Sequence, residues 1–245
     1  IVGAGMYVCG RGTAGYGTVL PTVIQAQAQG LVGEVWVAAT SPESCRSVRE
    51  KLDELKARHG LHGRVHFLPE GSGTDPYSYR NAIRAMPRPA ATFVCTPDQW
   101  HVPVASEAIS AGMHVLVVKP LAPTFKDSLQ LCDLARQRGV YGAVEFHKRY
   151  DDANLLLRRT LHEGRLGDIA YIMVEYSQRR QVREIFQSWV DKTDIFQYLG
   201  VHYADLIHFV TGARPVRVMA IRQRGMSSAK QDGWDSIETI IEWVP

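Results

Sequence analysis

Gly112-Met113-His114-Val115-Leu116-Val117-Val118-Lys119-Pro120 is the stretch that decides the fold. A turn glycine leads into a short, nearly unbroken apolar run, the pattern of a strand buried in a parallel sheet. Lys119 emerges at the C-terminal end of that strand, where open α/β sheets bind their ligands. Pro120 fixes its own φ and restricts Lys119 to extended conformations, so the ammonium leaves in a defined direction. Taken alone, such a lysine is more readily a surface residue of a strand-to-helix turn. The rest of the chain has to separate the two.

Outward from that strand, the first 147 residues alternate strand and helix. Ile1-Val2 leads into a glycine loop and a helix over Leu20–Gln29. Strands over Glu34–Ala39, Arg64–Leu68, Ala91–Cys95, Val115–Val118 and Tyr141–Phe146 are separated by helices. These cover Pro42–His59, with Ser41 as N-cap, then Tyr79–Ala85, Val102–Ala111 and Thr124–Arg138. This alternation implies right-handed crossovers and a doubly wound parallel sheet of the dinucleotide-binding type, assigned here to residues 1–147. After His147 the rhythm changes. A helix over Asp152–Glu163 precedes strand-like segments Ile169–Arg179, Val216–Arg224 and Ile237–Val244, with a helix around Asp194–Val210. Residues 148–245 therefore read as an α+β domain with an open, mostly antiparallel sheet. Ile1-Val2 supplies only two residues of a first strand that should run about five. Both ends read as cut, and a leader peptide cannot be judged from this N-terminus.

Gly3-Ala4-Gly5 follows the first strand, where backbone amides and a helix N-terminus hold a pyrophosphate. The third position of G-x-G-x-x-G is Val8, and a second register starts at Gly10-Arg11-Gly12. The simplest reconciliation is a lengthened loop from Gly5 to Gly17, with Gly3, Gly5 and Gly10 at the phosphates and Arg11 adding a charge-assisted contact. The alternative is a merely flexible glycine loop. The second strand ends Ala38-Ala39-Thr40-Ser41, with no acid to take the ribose hydroxyls and with Arg46 close behind. Thr40, Ser41 and Arg46 thus favour NADP over NAD, although Arg46 fits an ordinary exposed helix position equally well.

Four pieces in this order, Gly3-Ala4-Gly5, Thr96-Pro97-Asp98 with His101, Lys119-Pro120, and Gly200-Val201-His202 followed by Asp205, resemble the Gfo/Idh/MocA family of NAD(P)-dependent oxidoreductases. The resemblance implies a Rossmann domain followed by a substrate domain whose sheet face serves a homodimer or homotetramer. It also implies that Thr96, Pro97, His101, Lys119 and Pro120 lie by the cofactor. By their residue types alone, Asp98 is as readily a helix cap and His101 a supporting residue. Lys119 and His202 match the residues that act on the substrate, and Lys148 or Arg149 reaches substrate oxygens.

Oxidising a secondary alcohol requires the hydride to face a nicotinamide and the hydroxyl proton to leave to a positioned base. A lysine ammonium stabilises the developing alkoxide. A histidine, with an unperturbed pKa of ~6.5, suits the base. Asp194, Tyr198, His202 and Asp205 are spaced to share one helical face, which makes Asp194 a candidate for substrate binding and Tyr198 an assistant to His202. Two positions depart from the family pattern. Val118 stands where a carboxylate usually precedes the lysine, and Tyr198 where an aspartate usually precedes the histidine. A tyrosine there binds hydroxyls, or relays a proton if its pKa is lowered, but brings no negative charge. A non-catalytic NAD(P)-binding sensor is therefore the competing reading, and a lyase- or hydrolase-like cycle that regenerates its cofactor is a third. Gln187 and Trp189 border the pocket by their order along the chain.

Composition narrows the classes. A net charge of +3 with interleaved acids argues against nucleic acid, and no apolar run approaches the length of a membrane span. Arg179, Arg180 and Arg183 form either a solvated face or an anion site. Four scattered cysteines without CxxC spacing argue against zinc and disulfides and fit a reducing, cytoplasmic compartment. The expected partner is a small carbohydrate-like molecule, and no metal is expected.

Overall fold

The computed structural model describes residues 1–178, 192–223, 234 and 236–245 of the chain. Arg179, Arg180, Arg183, Gln187, Trp189 and Arg224 lie outside the described residues. The chain divides into two compact units, Ile1–Val144 and Glu145–Pro245.

In the first unit Val2 bridges in parallel to Ala38 on one side and to Val94 on the other. It thereby joins β1 (Val35–Ala38) and β2 (Val65–Leu68) to β3 (Ala91–Val94), β4 (His114–Val118) and β5 (Gly142–Glu145). The order is β2-β1-Val2-β3-β4-β5, the arrangement of a doubly wound dinucleotide-binding sheet, reversing direction between Val2 and β3. Two buried clusters cover the sheet. One contains Val35, Val37 and Ala39 of the β1 region with Val8, Leu20, Ile24 and Val48 from helices α1 (Met6–Cys9), α2 (Val19–Ala28) and α3 (Pro42–His59). The other contains Ala38, Val115 and Val117 with Ile83, Val104, Ile109 and Leu131 from α4 (Ser78–Ala85), α5 (His101–Ser110) and α6 (Phe125–Arg138). Alternate residues of β1 thus enter different cores, as the pleat requires.

Local chemistry explains where the elements start and stop. Ser41 caps α3 by accepting from the Ser44 N–H at 3.2 Å, and Gly60 ends it in the left-handed region. The segment expected as a plain loop from Gly5 to Gly17 instead contains the single-turn helix α1. Val8 at the third glycine position is fully buried, so core packing rather than ligand approach selects that side chain. Asp98 opens a 3-10 turn and is buried, and α5 follows with Trp100 at its cap position.

In the second unit α7 (Asp152–His162) is followed by residues 169–178, which form no strand. The expected strand over Ile169–Arg179 fails because alternating polarity marks an extended chain without supplying a hydrogen-bonding neighbour. Ile172, Val174 and Tyr176 do turn to one side, toward the helix that follows. That helix, expected as one element over Asp194–Val210, is a π-helical turn at Phe196–Gly200 continued by α8 (Val201–Thr211). Val201 N–H reaches back to the Phe196 carbonyl, and a Cβ on Gly200 would come within 2.4 Å of the Phe196 ring, so only glycine lets that ring lie there. β6 (Arg214–Gln223) and β7 (Ser236–Val244) pair antiparallel, with Met219 opposite Ile240.

Candidate active site

The switch point of the first unit brings Gly3 against the end of β3. Gly3 has φ +122°, and a Cβ there would stand 2.2 Å from the Cys95 carbonyl oxygen, so both backbone conformation and space demand glycine. A Cβ on Gly5 would meet open space, and α1 begins directly after it, with the Val8 and Cys9 amides both donating to the Gly5 carbonyl at 3.1 Å. Beside this, Thr96 Oγ1 and Gln99 Oε1 are buried without a hydrogen-bond partner among the described residues. Orphaned buried polar atoms cost about 1–3 kcal/mol each, so they fit a site completed by a polar ligand. The residues present therefore suit a dinucleotide.

Arg11 leaves the turn after α1 and donates from Nη1 to Ser44 Oγ at 2.8 Å, with Glu43 3.5 Å from its Nη2. Ser41 Oγ lies 3.1 Å from Ser44 Oγ. A guanidinium and two hydroxyls thus converge at the first turn of α3, after the end of β1. Thr40 and Arg46 are both exposed there, Thr40 accepting from the Asp75 N–H through its carbonyl. Gly10 ends α1 in the left-handed region.

His101 is fully buried and ties two turns together. Its Nδ1 lies 2.7 Å from the Pro120 carbonyl oxygen and its Nε2 2.9 Å from that of Thr96. Burial is the main cause that pushes its pKa below the usual value, with Lys119 adding to it. The two carbonyls and Asp98 pull the other way. Each contact calls for an N–H, and a neutral imidazole carries one. His101 is thus a staple between the strand ends that carry Thr96-Pro97 and Lys119-Pro120, consistent with a supporting rather than chemical part. Lys119 is half-buried, and its peptide bond to Pro120 is cis.

In the second unit His202 is 5% exposed on α8. Its ring meets that of His147 edge-on at a centroid distance of 4.8 Å and that of Phe146 at 6.3 Å. His147 Nδ1 lies 2.9 Å from Glu145 Oε1. Sequence reasoning passed over Glu145 and His147. The available signal was their alternation at a strand end, which turns both to one side of Phe146.

The four-residue stripe on the helix is not kept. Asp194, expected at the substrate, accepts from the Gln197 N–H at 2.8 Å and so caps the start of the helix. The i→i+5 turn takes one residue more than an α turn, which puts positions before it out of phase with α-helical spacing. Asp205 pairs with Arg149, whose Nε donates at 2.7 Å and whose Nη2 also donates to it. Arg149, expected at substrate oxygens, is thereby committed to α8. Lys148 lies over the Tyr203 ring at 5.6 Å. Burial, then Tyr176, pushes the Tyr198 phenol above its ordinary value, the opposite of what a proton relay requires.

A cavity of about 220 Å³ lies on another face of α8, lined by Ile172, Val174, Leu199, Tyr203, Ile207 and Trp243. It lacks His202 and any charged residue, so it reads as loose helix-to-sheet packing rather than a polyol site. Among the described residues no helix is long and apolar enough to cross a membrane.

Comparison with known proteins bears on this geometry. Residues 8–146 match the family described as "Oxidoreductase family, NAD-binding Rossmann fold", and residues 155–242 match its C-terminal domain. The D-glucoside 3-dehydrogenase of Escherichia coli (strain K12) is 34% identical over 106 residues, 43% of this chain and 29% of that protein. The scyllo-inositol 2-dehydrogenase (NADP(+)) IolW of Bacillus subtilis (strain 168) is 29% identical over 136 residues, 54% of this chain and 37% of that protein. The solved WlbA dehydrogenase from Bordetella pertussis in complex with NADH and UDP-GlcNAcA superposes with a TM-score of 0.69 at 21% identity. It covers 99% of this chain and 65% of its own, a likeness of fold. The curated relatives are matched over as little as 26% and as much as 40% of their own lengths. With more than half of the chain matched by the N-terminal family pattern and most of the remainder by its C-terminal partner, the protein belongs to the Gfo/Idh/MocA oxidoreductase family.

Proposed function

We propose that the protein transfers a hydride between a nicotinamide cofactor and a secondary alcohol of a sugar, polyol or cyclitol. The observation that carries this reading is the switch point of the first unit. There Gly3 is pressed against the Cys95 carbonyl, the Thr96 hydroxyl is buried and unpartnered among the described residues, and His101 ties that turn to the one bearing Lys119. The cofactor, when bound, accepts or returns the hydride. Gly3, Gly5, Thr96 and Pro97 line its site, Lys119 holds the reacting oxygen and stabilises developing alkoxide charge, and His202 exchanges the hydroxyl proton. Tyr198, its phenol neutral, orients a substrate hydroxyl rather than carrying the proton. The names of the glucoside and inositol dehydrogenases among the relatives support the substrate class.

NADP is the favoured cofactor. Arg11, Ser41 and Ser44 gather where a 2′-phosphate would be met; β1 itself ends without an acid for the ribose hydroxyls, and Glu43, 3.5 Å from Arg11, is the carboxylate that a phosphate would displace. One relative carries NADP(+) in its name. The competing reading, a non-catalytic NAD(P)-binding sensor, draws on Tyr198, which brings no charge to His202.

Calorimetric titration of the full-length protein with NAD, NADH, NADP and NADPH, followed by a screen of inositols and glucosides, separates these. The expected results are tighter binding of the phosphorylated pair and turnover of at least one polyol. Lys119→Ala is expected to lower that turnover by ~10²–10⁴-fold while cofactor binding persists. Near-normal turnover in the variant sinks the assignment of Lys119. Cofactor binding without turnover of any compound favours the sensor.

A further inference from the structure

The second unit holds an ionisable cluster that the reading above does not use. Glu145 ends β5 and is 18% exposed in its side chain, and its carboxylate lies 2.9 Å from His147 Nδ1. The His147 ring in turn stands edge-on to the ring of the buried His202 at 4.8 Å. We propose that Glu145 and His147 are positioning residues for His202, supplying through a second imidazole the negative charge that Tyr198 does not bring. The inference rests on the reading of His202 as the group that exchanges the substrate proton.

The chemistry follows from the order of the three groups. The carboxylate accepts the Nδ1–H of His147, which fixes that ring's tautomer and enriches its electron density. When His202 takes up a proton, the imidazolium stands 4.8 Å from a ring whose Nδ1 is held by a carboxylate. That arrangement stabilises the charged form by Coulomb attraction to the Glu145 anion, relayed through the polarised His147 ring. No covalent bond changes: one proton moves onto His202 and one off again.

Several charged groups on neighbouring elements of this unit are engaged elsewhere among the described residues. On the 3-10 turn, Arg149 is held by Asp205, and Lys148 lies over Tyr203 at 5.6 Å. From α7, Arg158 lies over Phe209 at 4.4 Å. On the helix itself Asp205 is taken by Arg149, and Tyr198 is kept neutral by burial, with Tyr176 reinforcing it from the extended segment. Among the described residues Glu145 is thus the carboxylate in contact with His147, and it makes no ion pair with an arginine or lysine there.

The test separates charge from shape. In full-length protein labelled at histidine Cε1 with carbon-13, the titration of His202 is followed by NMR in the parent, Glu145→Gln and His147→Gln. Glu145→Gln keeps an acceptor for the His147 N–H and removes only the charge, so it preserves the fold where a larger change would not. The His202 midpoint is expected to fall by ~0.5 unit or more in Glu145→Gln and in His147→Gln. Kinetics with scyllo-inositol and NADP supply the second readout: the acid limb of the kcat–pH profile is expected to move down by ~0.5 unit in both variants, with the plateau lowered as the base weakens and KM little changed. A His202 midpoint unmoved in both variants overturns the proposal whatever the kinetics show. A shifted midpoint in a protein that turns over no polyol upholds the pairing and overturns the dehydrogenase reading instead.

Discussion

At the scale of single residues, the first unit is governed by what cannot be larger than glycine and by where one guanidinium ends. Gly3 combines a positive φ with a carbonyl oxygen 2.2 Å from the position of a Cβ. Gly3→Ala is expected to destabilise the protein by ~2 kcal/mol or more, seen as a lowered thermal midpoint and recovered by no conservative alternative. Arg11 is legible in the sequence only as a residue after a glycine loop. Its partnership with Ser44, 33 positions away, exists only once β1 and α3 are folded. Arg11→Ala should weaken NADPH by ~10-fold in calorimetry and leave NADH nearly unchanged, a difference of about 1.4 kcal/mol. Equal weakening of both would assign Arg11 to the pyrophosphate or to the fold instead of the 2′-phosphate.

Among the elements, those with chemical punctuation were legible in advance. Ser41 at one end and Gly60 at the other announce α3, and the apolar run before Lys119 announces β4. Two features were not. The extended segment 169–178 carries the alternation of a strand, but pairing depends on an edge that sequence pattern does not describe. The π-helical turn covers five residues, too few for its period to be told from an α-helical one. His101 belongs at this scale because it acts by fastening elements. Its carbonyl partners lie after β3 and β4, so His101→Ala leaves the buried Pro120 carbonyl and the part-buried Thr96 carbonyl without this partner and is expected to cost ~2 kcal/mol in denaturant unfolding. Its pH dependence has a definite sign. The folded value is pushed below 6.5, so below that pH the unfolded chain binds the proton first. Stability should fall as pH drops below 6.5, and His101→Gln should flatten that slope.

At the scale of the molecule, the outer face of the β6–β7 ribbon stands out. Arg217, Met219 and Ile221 lie opposite Glu242, Ile240 and Glu238, while Ile237, Thr239, Ile241 and Trp243 turn toward α8. Met219, Ile221 and Ile240 are each more than 60% exposed. A two-stranded ribbon is marginal alone, and an apolar stripe flanked by an Arg217–Glu242 ion pair suits association with a second copy of the same face. The homodimer or homotetramer that the family resemblance implies would use this face. Ile240→Glu should shift it toward monomer in sedimentation velocity, and an unchanged mass would remove this face from the assembly.

The turn at Phe196–Gly200 bears on how residues are counted along this chain. In an α-helix the loss of one residue turns everything before it through about 100°. Here a turn already holds one residue in excess, and its removal would relax the turn to ordinary α geometry while the helix stayed continuous. A single-residue deletion in this stretch would thus leave secondary structure intact yet present a different set of side chains beside His202. Length, at this one place, acts as a dial on orientation.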